Sequence, residues 1–347
     1  LLRRPVPAAA HRGEQRLADG VRVAIVVFAP AAAQAPPVSQ TEAAVREAHA
    51  KYRSLQEGKN ADYIPALAKV PANLFGIAVV DVNGRISTAG DVEWEFAIES
   101  LSKVFTLARV LEDGGEQTIE NAMGVDATGQ PFNSIVAIEK NQGREMNPFV
   151  NAGAIATTAL VGGANADQVW AKIIGMHNDF AGRALSIKEE VYRSEADTNQ
   201  RNQAIGMLMH AYGLFAADPA QATDLYTRQC SISANARDLA IMAATLANGG
   251  RNPVTRRQVI EQRHVKSILA LMSTAGLYDE SGKWLYRTGL PAKSGVGGGI
   301  IAVSPGKFGI AAFSPPLDAA GNSVRAQRAI LDVSTRLGGN PYDVKPR

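Results

Sequence analysis

The chain has 347 residues, 46% of them hydrophobic and 20% charged, with 32 Gly and 17 Pro. That composition excludes fibrous and disordered classes and suits one large globular domain or two small ones. Residues 1–22 hold Arg3, Arg4, Arg12, Arg16 and Arg22 against Glu14 and Asp19 and so account for the whole net charge of +3, leaving a neutral body with no basic face for a nucleic acid.

The first 38 residues stand apart. Arginines precede an apolar run from Val23 to Ala29, and Ala33-Gln34-Ala35 has the small-x-small form of a signal-peptidase site. The segment reads either as a cleaved leader, which would place the protein in the periplasm or outside the cell, or as an unstructured Ala/Pro-rich extension of a cytoplasmic protein. The apolar run is too short to span a bilayer as a helix. A single cysteine, Cys230, rules out an intrachain disulfide; it fits a reducing compartment without excluding export, and a small buried residue is its simplest reading. The five histidines, His11, His49, His177, His210 and His264, are too scattered for a zinc site of local ligand spacing.

Residues 39–347 read as one catalytic domain. Gln40 to Leu55 is charged and helical. Leu74 to Val82 predicts a buried strand, Asn83-Gly84 a hairpin turn, and Arg85 to Ala89 the return strand. A helix should begin near Glu99, with Leu101, Val104, Phe105, Ala108 and Leu111 at helical spacing, and stop at Asp113-Gly114-Gly115. From Thr118 to Leu271 convincing strands are lacking. Helices are expected at Asn151 to Leu160, Ala166 to Met176, Asn202 to Tyr212 and Ala234 to Ala247, a helical lobe over roughly 115–270. Gly299 to Val303 and Phe308 to Phe313 flank Ser304-Pro305-Gly306-Lys307 as strand, turn, strand, and Ser323 to Leu337 is an amphipathic helix. Strands at both ends and helices between predict an α/β fold of the α+β type, one antiparallel sheet flanked by helices, with a cleft against the helical lobe.

Ser100-Leu101-Ser102-Lys103 is an S-x-x-K element at a helix start. Residues three apart on a helix share a face, so Ser100 and Lys103 can touch. A serine hydroxyl becomes a nucleophile when a neighbour takes its proton, and a lysine can do so where burial and nearby positive charge lower its pKa. A second S-x-x-K, Ser304 to Lys307, lies in a Pro-Gly turn and reads as a solvated hairpin. Lys293-Ser294-Gly295 precedes a late strand. S-x-x-K early and K-T-G or K-S-G late is the order found in penicilloyl serine transferases and class A β-lactamases.

Longer strings carry a more specific resemblance. Ala61-Asp62-Tyr63-Ile64-Pro65, Glu99 to Lys103, Pro131-Phe132-Asn133-Ser134, Asn147 to Ile155, Ser194-Glu195 with Arg201-Asn202, Met242 to Gly250, Gly276-Leu277-Tyr278-Asp279, Gly289 to Val296 and Ser314 to Asp318 follow one another in order. Over about residues 62–318 the chain resembles the serine-dependent glutaminase family, which shares the serine β-lactamase/DD-peptidase-like fold. The interior of the run between Glu195 and Asn202 departs from parts of that family, while the Glu-to-Asn spacing is kept.

The resemblance implies hydrolysis of a linear amide, L-glutamine to L-glutamate and ammonia. It implies Ser100 as nucleophile, Lys103 as its base and Tyr278 as a proton relay. The backbone N–H groups of Ser100 and Val296 would form the oxyanion hole, and Tyr63, Asn151, Glu195, Asn202 and Tyr226 would hold the amino-acid end of the substrate. Glu195 suits an ammonium group, and the amides and phenols suit a carboxylate. Taken singly, Asn151 and Asn202 also read as helix caps, the tyrosines as packing residues and Glu195 as a solvated charge. The resemblance further implies a homodimer or homotetramer and calls for no cofactor or metal. Two other readings are a β-lactamase or penicillin-binding type of serine hydrolase, against which stands the missing Ser-Asp-Asn or Tyr-x-Asn element, and a non-catalytic glutamine-binding protein, disfavoured by the intact Ser100, Lys103 and Tyr278.

Overall fold

A computed structural model describes residues 34–144 and 146–344. The leader or extension read over residues 1–38 therefore lies, up to residue 33, outside the described residues. Among the described residues no helix is long and apolar enough to cross a membrane.

The described residues form eight strands: β1 (Gly76–Asp81), β2 (Ile86–Gly90), β3 (Phe96–Ala97), β4 (Ser186–Ile187), β5 (Ile232–Ala234), β6 (Ala292–Ser294), β7 (Gly299–Ser304) and β8 (Phe308–Phe313). Five of them make one antiparallel sheet in the order β2-β1-β8-β7-β6, which joins the two ends of the chain as the strand pattern predicts. Every residue of β1, β7 and β8 is buried, because both faces of the sheet are covered. Ile77, Val79, Ile300, Ala302, Ile310 and Ala312 meet the Val38–Tyr52 and Val324–Arg336 helices on one face. Ala78, Val80, Ile301, Val303, Ala311 and Phe313 meet the helical side of the molecule on the other. A strand buried on both faces loses the alternation of a half-exposed one and reads as a continuous apolar run.

The Ala236–Ala247 helix lies directly on β8. Its alanines let the backbones come close: a Cβ on Gly309 would collide with the backbone at Ala243 and Ala244. Asn235 caps this helix reciprocally with Asp238, satisfying two otherwise orphaned N–H groups.

The middle of the chain folds mainly into helices, among them Asn151–Ala159, Ala166–Ala181, Glu189–Thr198, Gln200–Ala211 and Pro219–Cys230. It also contains β4 and β5, which pair with β3 in a second sheet, order β3-β5-β4. This corrects the reading of a strandless middle. Strands of two or three residues are too short to show a period of two, and here the pairing itself creates them. The turn after β1 is also looser than a two-residue hairpin. Asp81 Oδ1 accepts from the N–H groups of Asn83 and Arg85, and Gly84 takes the left-handed conformation at φ 86°.

Candidate active site

The small sheet leads directly into the segment that carries Ser100. After β3 the chain makes one 3₁₀ turn, Glu99–Leu101, and then continues as the Ser102–Gly114 helix. The expected helix start at Glu99 is thus a 3₁₀ turn, in which side chains three apart are eclipsed. The turn is entered through Glu99 at φ 52°, a left-handed conformation uncommon for a residue with a side chain. Lys103 Nζ consequently lies 3.0 Å from Ser100 Oγ.

Lys103 is 1% exposed. Its ammonium nitrogen donates to the Asn151 side-chain oxygen at 2.8 Å and faces the Phe149 carbonyl at 3.5 Å. Burial pulls its pKa down to about 8, opposed by Cys230, Glu195 and Glu99. Burial is the main cause of the lowering at Lys103; positive charge is also near, since the buried Lys293 and Lys103 repel, and that repulsion falls on Lys293.

Asn151 connects the lysine to the rest of the site. It opens the Asn151–Ala159 helix but makes no side-chain cap there. Its oxygen accepts from Lys103 and, at 3.1 Å, from the Tyr226 hydroxyl, and its nitrogen donates to the Asn202 side-chain oxygen at 2.9 Å. The helix-cap reading of Asn151 and Asn202 therefore fails. Tyr226 is buried on the Pro219–Cys230 helix, with its ring 5.6 Å from Lys103 Nζ.

These groups open onto a cavity of about 280 Å³, lined also by Ser100, Glu195, Tyr63 and Val296. Glu195, on the Glu189–Thr198 helix, is only 6% exposed, so it is not the solvated charge that its polar sequence neighbours suggest. Burial holds its carboxyl above the usual range. Tyr63, 56% exposed, stands at the rim.

Val296 lies in the turn that follows β6, the edge strand carrying Lys293 and Ser294. That turn reaches the Ser100 segment because its neighbours are glycines: a Cβ on Gly295 would sit 2.6 Å from the Ile98 carbonyl oxygen, and one on Gly297 would strike that of Ala97. The N–H groups of Ser100 and Val296 donate to no acceptor among the described residues. Tyr278, also left-handed at φ 53°, donates to the Ser294 carbonyl at 3.3 Å, interacts with the Ser100 hydroxyl and packs against Phe132 with the rings tilted by 38° and their centres 4.6 Å apart. Lys293 is fully buried, donates to the carbonyls of Gly276 and Ser294, and lies 4.3 Å from the Tyr278 ring centre. The other S-x-x-K pair is spent on the backbone, Ser304 on the Gly339 carbonyl and Lys307 on that of Gly338.

Seven of the nine residues singled out in the sequence line this cavity, and Lys103 and Tyr278 adjoin it through Ser100. Sequence reasoning missed Glu99, which also lines it, and Phe132, Asn133 and Asn199. The strings containing Phe132 and Asn133 were visible, but nothing in them marked which side chain turns inward. Cys230, Glu99 and Glu195 bring ligand-type atoms within 4.8 Å of one another. Burial raises the pKa of all three, so a metal there would first have to displace protons.

A family model described as Glutaminase matches residues 58–342. A glutaminase of Mycobacterium ulcerans (strain Agy99) is 51% identical over 299 residues, 86% of this chain and 93% of the relative. One of Colwellia psychrerythraea (strain 34H / ATCC BAA-681) is 51% identical over 310 residues, 89% of this chain and the whole of the relative. The solved structure of a probable glutaminase, ybaS, superposes with a TM-score of 0.87 at 48% identity, covering 89% of this chain and 100% of that one. The antiparallel sheet flanked by helices is the serine β-lactamase-like fold of these proteins.

Proposed function

The chain belongs to the glutaminase family, and from that premise we propose that it hydrolyses L-glutamine to L-glutamate and ammonia with Ser100 as nucleophile and Lys103 as general base. The observation that carries the chemical part is the buried Lys103 amine 3.0 Å from the Ser100 hydroxyl, its pKa drawn down to about 8. A lysine so placed is partly neutral near physiological pH and can accept the serine proton.

Ser100 Oγ attacks the side-chain amide carbon as its proton passes to Lys103 Nζ. The carbonyl oxygen, now an oxyanion, receives the free N–H groups of Ser100 and Val296. Collapse breaks the C–N bond, and the departing nitrogen takes the proton back from Lys103 by way of the Tyr278 hydroxyl, leaving as ammonia. Water then attacks the acyl-serine ester, gives a proton to Lys103 and releases L-glutamate as Ser100 recovers its hydrogen. Glu195 pairs the α-ammonium group, while Asn151, Asn202, Tyr226 and Tyr63 surround the α-carboxylate. Fixing that end aims the amide at Ser100, which converts binding energy into rate. The working form in this reading is a homodimer or homotetramer, which light scattering of the purified protein tests.

The reading of the substrate is tested by offering L-glutamine, L-asparagine and a chromogenic cephalosporin in parallel. Rapid ammonia release from glutamine with little cephalosporin hydrolysis is expected. The reverse order would move the chain to the β-lactam readings, and glutamine binding without release would mark a binding protein.

A further inference from the structure

Glu99 has no part in the mechanism above, yet it is the residue just before the nucleophile, 3% exposed and held in a left-handed backbone. Its Oε1 atom has no hydrogen-bond partner among the described residues, and neither does Oε2 of Glu195. Both side chains line the cavity that contains Ser100, and their carboxyl oxygens lie within 4.8 Å of each other. A buried carboxyl without a partner costs several kcal/mol unless something else completes it. The groups facing the pair are Lys103, Cys230, Tyr226, Tyr63 and Tyr278. Lys103 is the cation among them, and it works as a base only when neutral. In that state no cation faces the two carboxyl groups, since Arg201, which also lines the cavity, is exposed and donates to the Asn133 carbonyl. A free amino acid supplies one.

We propose that Glu99 is a specificity-determining residue that shares the substrate's α-ammonium group with Glu195, so that the pocket selects a free amino acid over an analogue lacking the amine. This rests on the glutaminase reading and adds a second anionic contact to it. Two carboxyls so close cannot both ionise cheaply alone; an ammonium between them satisfies both open oxygens at once. The left-handed turn that presents Ser100 to Lys103 then has a second consequence, since it also turns the Glu99 carboxyl into the cavity.

The test compares kcat/KM for L-glutamine with kcat/KM for glutaramate, which is glutamine without its amine, in the wild-type chain and in Glu99→Gln. The ratio of the two should fall by roughly thirtyfold or more in the variant, the scale of removing one partner from a buried charge pair, with the loss mainly in KM for glutamine. A merely structural role for Glu99 would lower both substrates together, and an unchanged ratio overturns the proposal. Glu99→Gly, which suits the left-handed backbone, carries the same expectation should the first variant not fold. A wild-type chain that releases no ammonia from glutamine overturns the glutaminase reading and this one with it, whereas wild-type release with an unchanged ratio overturns the role of Glu99 alone.

Discussion

Asn151 accepts a hydrogen bond from Lys103 at 2.8 Å, and that contact orients the lysine amine. A neutral amine has two N–H donors and one lone pair. With Asn151 Oδ1 taking one N–H, the lone pair can face Ser100 Oγ at 3.0 Å. An amide at this position steadies the lysine without adding the negative charge that would keep it protonated.

Replacing that amide by a carboxylate should therefore act on the pH profile. In Asn151→Asp a negative charge beside Lys103 favours its protonated form, so the acid limb of kcat/KM should move upward by about 1–3 pH units. The profile of the variant against the wild type checks this, and an unmoved limb would remove Asn151 from the control of the base.

The wild-type profile carries its own sign. Burial lowers Lys103 from 10.5 to about 8. The base works deprotonated, so activity should fall as pH drops through about 8 and rise above it until the substrate's own ammonium loses its proton. Steady-state kinetics between about pH 6 and 10 resolve the limb. A profile flat across that range would contradict a lysine base.

Substrate capture should separate from chemistry at Glu195. Glu195→Gln keeps the shape of the side chain but removes the charge facing the ammonium. The expected result is a KM for glutamine raised by roughly thirtyfold or more with a smaller change in kcat. Near-normal affinity in that variant would take Glu195 out of the site.

Away from the site, Gly309→Ala tests the packing of the Ala236–Ala247 helix on the sheet. The added methyl group meets the backbone at Ala243 and Ala244, which has no rotamer with which to yield. A loss of about 1–3 kcal/mol is expected from such overpacking, read as a lower thermal midpoint. An unchanged midpoint would show that the helix can move off β8.

Much of this arrangement is legible in the sequence, for identifiable reasons. The runs Phe75 to Val80 and Phe308 to Phe313 are apolar throughout because both faces of the sheet are buried, and that same feature marks them as strands. The Ser100–Lys103 spacing follows from helical geometry, and the late Lys293-Ser294-Gly295 lands on the edge strand beside it. The proposed roles of Tyr63, Asn151, Glu195, Asn202 and Tyr226 rest on family resemblance, since each has an ordinary structural reading when taken singly. What stayed hidden depends on pairing and on backbone torsion. The strands β3, β4 and β5 exist only because they pair, and nothing in the residue types announces left-handed backbone at Glu99 and Tyr278. The Pro219–Cys230 helix does carry a sequence signal, Asp218 and Pro219 at its N-terminus, with the Asp218 carboxylate accepting from the Ala220 N–H.

The central claim is that Ser100 performs the attack, and ammonia release from L-glutamine by the wild-type chain and by Ser100→Ala, measured side by side, tests it most directly. The account predicts that the variant still binds glutamine by calorimetry while its turnover falls by on the order of 10⁴-fold or more, as expected when a nucleophile is removed from its base. Undiminished release by a folded Ser100→Ala protein would contradict it.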